Sequence, residues 1–172
     1  MSTALDLVLK RWPIFALLAS AAMLGVAHGF ETFGHLAPCH LCLKQREVYW
    51  AALAISAVGA ATSFSPLPGH GRRVTAAVLA MLFAYGAYLA AYHAGAEWKW
   101  WPGPASCSGS AKVNLKDLSA FLHGAAGPQA PRCDQAPWVF LGLSMAGWNF
   151  VASLGLVALS TASALTRETK AR

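Results

Sequence analysis

Four long apolar stretches dominate the chain. No Asp, Glu, Lys or Arg occurs in Trp12–Phe30, Val48–Gly71, Val74–Ala96 or Gln135–Thr166. Each is continuously apolar, unlike the alternating segments of about ten residues that build a transmembrane barrel. A helix needs about 20 apolar residues to cross a hydrocarbon core, and every stretch is near or beyond that length. The pattern predicts an all-α integral membrane protein, a four-helix transmembrane bundle forming a single domain. The spans are expected at about 12–31, 46–64, 74–96 and 137–165, with outer loops at about 32–45 and 97–136. Between spans 2 and 3, Pro66, Pro68, Gly69 and Gly71 are expected to break the helices. In the long loop, Val113, Leu115, Leu118, Phe121 and Leu122 fall mostly on one helical face, which predicts a short amphipathic surface helix.

Composition supports this reading. Of 172 residues, 12% are charged and 56% hydrophobic, against about 25% charged in a soluble domain. The net charge of +6 sits at span ends and in loops rather than in a stripe, so lipid headgroups account for it better than nucleic acid does. Under the positive-inside rule, Lys10, Arg11, Arg72, Arg73, Arg167, Lys170 and Arg172 are cytoplasmic, and both termini with them. Lys10-Arg11 ahead of an apolar run also describes a signal peptide. Ala27-His28-Gly29 is a poor cleavage site, however, and the run has spanning length, so a retained anchor is expected. Trp98, Trp100, Trp101 and Trp138 read as an outer aromatic belt. Lys44 and Arg46 oppose the charge rule, because they flank span 2 on its outer end. Something else requires a cation there.

All four cysteines lie in the outer loops, Cys39 and Cys42 in the first, Cys107 and Cys133 in the second. An even number of spans between the loops places them in one compartment. Three pairings are possible, and the spacings favour Cys39–Cys42 and Cys107–Cys133. As a structural staple the second pair closes a loop of about 27 residues, worth about 3–4 kcal/mol in the chain-entropy model. The first pair constrains little, and Cys-x-x-Cys is the spacing of reversible redox pairs. Zinc is a further reading, through Cys39, His40, Cys42 and His35 with Cys107 and Cys133. Against it, His40 lies between the two cysteines and the second pair lacks compact ligand spacing.

The segment Pro38–Arg46 leads into span 2, so Cys42 lies near a helix N-terminus, where a thiolate is favoured. Arg46 follows one turn later; its alternative role is that of a snorkelling arginine. A redox pair at a bilayer surface needs an electron partner, and the chain has no Cys-x-x-Cys-His, dinucleotide fingerprint or iron–sulfur spacing. A quinone needs only an apolar crevice and a few polar groups, and a nearby cation favours the arrival of electrons.

Four spans with a cysteine pair in each outer loop, together with Pro38–Arg46, Cys107, Cys133-Asp134 and Phe140-Leu141-Gly142-Leu143-Ser144-Met145-Ala146-Gly147-Trp148-Asn149, resemble the DsbB family of bacterial disulfide-bond formation proteins. The likeness covers roughly residues 12–165. It implies a protein-disulfide oxidoreductase of the bacterial inner membrane, with periplasmic cysteines and a quinone cofactor, ubiquinone or menaquinone. The implied partner is a soluble DsbA-like oxidase of thioredoxin fold. By the same resemblance, the partner attacks Cys107 and releases Cys133, which passes the reducing equivalents to Cys39. Cys42 then contacts quinone, Arg46 is the cation there, and His93 lies nearby. Neither the motif nor the spacing gives Glu97 a role; Asn149 is expected to make an interhelical hydrogen bond. The rival from another class is a four-span scaffold or transporter with purely structural disulfides. A vitamin K epoxide reductase-like reading lacks its further membrane-embedded Cys-x-x-Cys near the last span.

Overall fold

The structure is a computed structural model that describes residues 3–63, 70–104 and 132–166. Helices α1 (Thr3–Lys10), α2 (Trp12–Thr32), α3 (His40–Ser63) and α4 (His70–Glu97) are followed by strands β1 (Val139–Phe140) and β2 (Leu143–Ser144), then α5 (Met145–Leu165). The protein is mostly helical, as expected. Three helices, α2, α4 and α5, are long and apolar enough to cross a membrane. The 24-residue α3 carries Lys44, Arg46 and Glu47 in its first two turns and packs against both α2 and α4. The expected surface helix at 113–122, the residues Pro66, Pro68 and Gly69, and Cys107 lie outside the described residues.

Two helix starts differ from the sequence reading. Helix α3 begins at His40, ahead of the span expected from about 46, and so puts Cys42 in its first turn as expected; Cys39 caps it. Its carbonyl accepts the first helical bond from the Leu43 N–H at 3.0 Å, and its sulfur accepts from the Cys42 N–H at 3.3 Å. That is the cap geometry usually supplied by a Ser, Thr or Asp oxygen. Helix α5 begins at Met145 rather than near 137. The apolar run before it folds into an antiparallel hairpin, with Val139 opposite Ser144 and Phe140 opposite Leu143. The turn residues Leu141 and Gly142 have φ of 50° and 79°, the left-handed pair of a type I′ turn. Ser144 then caps α5 by accepting from the Gly147 N–H at 3.1 Å. Gly71, expected as a breaker, lies in the first turn of α4.

Helix α2 packs on α3, α3 on α4, and α4 most extensively on α5, whereas α2 and α5 barely touch. Close approach depends on small residues: Ala16, Ala52 and Ala76 are fully buried beside Trp12, Leu79 and Phe83, a pattern suited to helices packing in lipid. A side chain at Gly86 would meet Val48 Cγ1 at 3.1 Å. At the end remote from the cysteines, the buried Arg72 donates to the carbonyls of Leu9, Ser163 and Thr166 at 3.1–3.3 Å. A guanidinium among the last carbonyls of α5 also complements that helix's dipole.

At the other end, α4 stops in a Schellman motif. Trp100 N–H donates to Gly95 O at 2.9 Å and Lys99 N–H to Ala96 O at 3.2 Å, with Lys99 left-handed at φ 62°. Gly95 is required there, since a Cβ would meet the Trp101 ring at 2.0 Å.

Candidate active site

The Cys39 cap sets the geometry of the dithiol. Cys39 and Cys42 are free thiols with their sulfurs 2.9 Å apart, so the pair favoured by spacing is adjacent but not bonded. The Cys39 thiol is held well above the usual thiol range, first by its hydrogen bond with the Cys42 sulfur and then by burial. Cys39 therefore keeps its proton, and Cys42, in the first turn of α3, is the sulfur that ionises.

Helix α4 supplies His93, whose Nε2 lies 3.6 Å from the Cys39 sulfur. Its Nδ1 is 2.9 Å from Gln45 Nε2. Gln45 Oε1 accepts from the Asn149 amide, and Asn149 Oδ1 accepts from the Tyr49 hydroxyl at 2.5 Å. The expected interhelical bond of Asn149 is thus part of a polar chain linking the dithiol through α4 and α3 to α5. One turn beyond His93, Glu97 Oε1 lies 3.7 Å from His93 Nε2, and the two side chains are only 2% and 5% exposed. The other Glu97 oxygen accepts from the Ser144 hydroxyl.

Arg46 turns toward α2. It pairs with Glu31 at 2.5 Å and donates to the Ala27 carbonyl at 3.0 Å. The misplaced cation of the charge pattern therefore has an anion of its own, and it still lines the site.

The dithiol stands between two cavities. The first, about 420 Å³, opens between α2 and α5 where those helices fail to meet; Cys42, Arg46, His93, Glu97 and Asn149 line it, with apolar walls from Phe30, Trp138 and Trp148. The second, about 410 Å³, is lined by Cys39 and Cys42 with His35, His93, Arg132 and Gln135. Cys133 is disulfide-bonded and buried, and its sulfur lies within 4.8 Å of the Cys39 sulfur and a His93 ring nitrogen. A disulfide sulfur offers no thiolate to a metal. The zinc set read from the sequence also changes, because His35 and His40 are not members of this cluster.

The chain matches the family "Disulfide bond formation protein DsbB" over residues 9–163. The chain belongs to the DsbB family. Relatives of this DsbB-family protein carry the name Disulfide bond formation protein B. The one from Methylococcus capsulatus is 31% identical over 86% of this chain and 88% of its own length. That from a Polaromonas species is 27% identical over 96% and 98%. No solved structure matches the chain. The chain is accordingly a disulfide-bond formation protein, an oxidoreductase in the broad sense.

Within the DsbB-family site, Cys39, Cys42, Cys133, Arg46 and His93 come together from three segments, while Cys107 lies outside the described residues. The sequence reading missed Gln45, Glu97 and Ser144 as site residues, and Glu31 as the partner of Arg46. Only the charge of Glu31 beside that of Arg46, at facing ends of two apolar runs, signalled any of these in advance.

Asp134 holds the Cys133 segment. It pairs with Lys99 at 3.0 Å and with Arg132 at 2.9 Å, and the left-handed turn at Lys99 aims that side chain. Arg132 first, then Lys99, keeps the Asp134 carboxyl well below the usual carboxylate range. A lowered folded value stabilises the contact above the unfolded value of about 3.9, and the contribution is lost as pH falls through the folded value. The clamp should thus show no pH dependence of its own between about 5 and 8. Asp134→Asn should change the rate at which an added reductant opens the Cys133 disulfide by no more than about fivefold, as exposed ion pairs do. Quench-alkylation time courses of the wild type and the variant measure this; a change far larger than fivefold would make the clamp more than a surface contact.

Proposed function

We propose that the protein oxidises the dithiol of a soluble, DsbA-like thioredoxin-fold oxidase and passes the electron pair through two cysteine pairs to membrane quinone. In this reading four helices span the bacterial inner membrane, α3 being the fourth span, with the termini cytoplasmic and the cysteines periplasmic. One observation carries it. The free dithiol has a disulfide-bonded sulfur within 4.8 Å on one side and an apolar cavity of about 420 Å³ on the other. A structural staple at Cys39–Cys42 would be bonded, and these sulfurs are free.

The first cavity fits a quinone headgroup in chemistry. Its walls are apolar, and Arg46, His93 and Asn149 offer polar groups at one end. When bound, a quinone supplies a two-electron, two-proton acceptor. The chain's residues do the rest. The partner's thiolate attacks Cys107, and Cys133 leaves as a thiolate. Cys133 attacks Cys39 of the oxidised Cys39–Cys42 pair, and Cys42 is released into the cavity as a thiolate; the partner's second thiol then frees Cys107, and Cys107 attacks Cys133, which restores their disulfide and releases Cys39. The Cys39 cap holds the attacked sulfur still, and Arg46 supplies positive potential where negative charge arrives. Attack on Cys39 places the leaving charge on Cys42, the better leaving group of the pair.

Purified protein should reduce added quinone only when a reduced thioredoxin-like partner is present. Arg46→Gln should raise the quinone concentration needed for half-maximal rate by about tenfold, the effect of one lost charge-assisted contact. Absence of partner-dependent quinone reduction in the wild type would overturn the reading.

A further inference from the structure

Quinone reduction consumes two protons with its two electrons, and the dithiol does not hold both. Cys39 keeps its proton and Cys42 is the ionised sulfur, so the pair brings one. A second proton must come from a group at the same cavity. Glu97 is a carboxyl with a side chain only 2% exposed, and it lines the same cavity as Cys42. Resting on the quinone reading above, we propose that Glu97 is the second proton donor of the site.

The surrounding charges support a protonated Glu97 while the dithiol is reduced. From α3, Cys42 contributes the negative charge. The one cation of that helix at the cavity, Arg46, is already paired with Glu31 of α2. From its own helix Glu97 faces His93, and from the hairpin only the neutral Ser144 hydroxyl. In the segment around Cys133, Arg132 and Lys99 are paired with Asp134. A thiolate and a carboxylate buried together would put two anions against no unpaired cation among the described residues, which a low-dielectric site disfavours. With Glu97 protonated the site holds a single negative charge.

The step then balances. The Cys39 S–H bond and the Glu97 O–H bond break, the Cys39–Cys42 bond forms, and two electrons and two protons pass to quinone. One negative charge stands on Cys42 before the step and on Glu97 after it. The His93 ring reaches both cavities and lies 3.7 Å from Glu97, so it can return a proton to Glu97 from the more polar side. The amide chain permits this. Reversing the side-chain amides of Gln45 and Asn149 together preserves their hydrogen bonds and moves the His93 ring proton from Nε2 to Nδ1, leaving Nε2 free to carry a proton.

The test is infrared difference spectroscopy of the quinone-free protein, cycled between dithiol and disulfide with a carboxyl-free thiol reductant and diamide. The wild type should show a protonated-carboxyl stretch in the reduced state that disappears on oxidation. Glu97→Gln should lack it, and Glu97→Asp should retain it at a shifted position. With partner and quinone present, the Glu97→Gln rate should fall about tenfold per pH unit above neutrality, where the wild type stays flat, and Glu97→Asp should restore the flat profile. Absence of the carboxyl band in the wild type, its persistence in Glu97→Gln, or a flat profile in Glu97→Gln would each overturn the proposal. Failure of the wild type to reduce quinone at all would instead overturn the reading it rests on, since the infrared measurement needs no quinone.

Discussion

Cys42→Ser should convert the relay into a trap, with Cys39 captured in a disulfide with Cys133 and electron flow to quinone reduced by more than about 10³-fold. The wild-type geometry dictates this outcome. Cys133 is disulfide-bonded and lies within 4.8 Å of the Cys39 sulfur, close enough for attack after a small side-chain movement. Cys39 is the cap of α3, so its sulfur is held in place whatever residue 42 carries. In exchange, Cys39 gives up its proton as it attacks Cys133, the Cys39–Cys133 bond forms, and the former partner of Cys133 leaves as a thiolate that takes up that proton. The wild type resolves that bond with Cys42, whose sulfur is 2.9 Å from Cys39; serine cannot. Alkylation followed by non-reducing peptide mapping will show the Cys39–Cys133 peptide pair accumulating in the variant. If Cys39 stays as freely alkylated as in the wild type while turnover is lost, the two sulfurs do not exchange and the route through Cys133 is wrong.

The cysteines were legible before the fold because their chemistry follows from their spacing and from their place outside the apolar runs. The helices were legible because charge disappears from the chain wherever lipid or another helix covers it. The hairpin at 139–144 was not. Val139-Phe140-Leu141-Gly142-Leu143 is as apolar as the helix that follows, and its one turn signal, Gly142, is preceded by a leucine in a left-handed conformation that leucine seldom adopts. The cap of α3 was hidden for another reason, since it is made by a sulfur and cap rules look for oxygen. Redox state is also absent from sequence: the same Cys-x-x-Cys reads identically bonded or free. Glu97 was invisible as a site residue because its partners, His93 apart, come from β2 and α3, which only the packed bundle brings to the end of α4.

The same packing makes Gln45 a polar residue whose loss should be costly in stability. Gln45→Leu keeps the volume nearly constant and removes both ends of the bridge at once. His93 Nδ1 loses its partner at 2.9 Å, and the Asn149 amide loses its acceptor. Two polar groups are orphaned, the buried His93 and the half-buried Asn149, which costs about 1 kcal/mol each at the low end. The low end applies because unfolded segments in a membrane also find partners. The expected loss is therefore about 2 kcal/mol, read as a lower detergent-denaturation midpoint. Gln45→Glu should lose much less at a pH low enough to protonate it, because the carboxyl O–H donates to His93 Nδ1 and its carbonyl oxygen accepts from the Asn149 amide. The double variant Gln45→Leu with Asn149→Leu separates orphaning from simple loss of contact. Removing both partners leaves fewer stranded groups than the single changes do between them, so its penalty should fall short of their sum by about 1 kcal/mol. Strict additivity would mean that Gln45 and Asn149 do not share a bond.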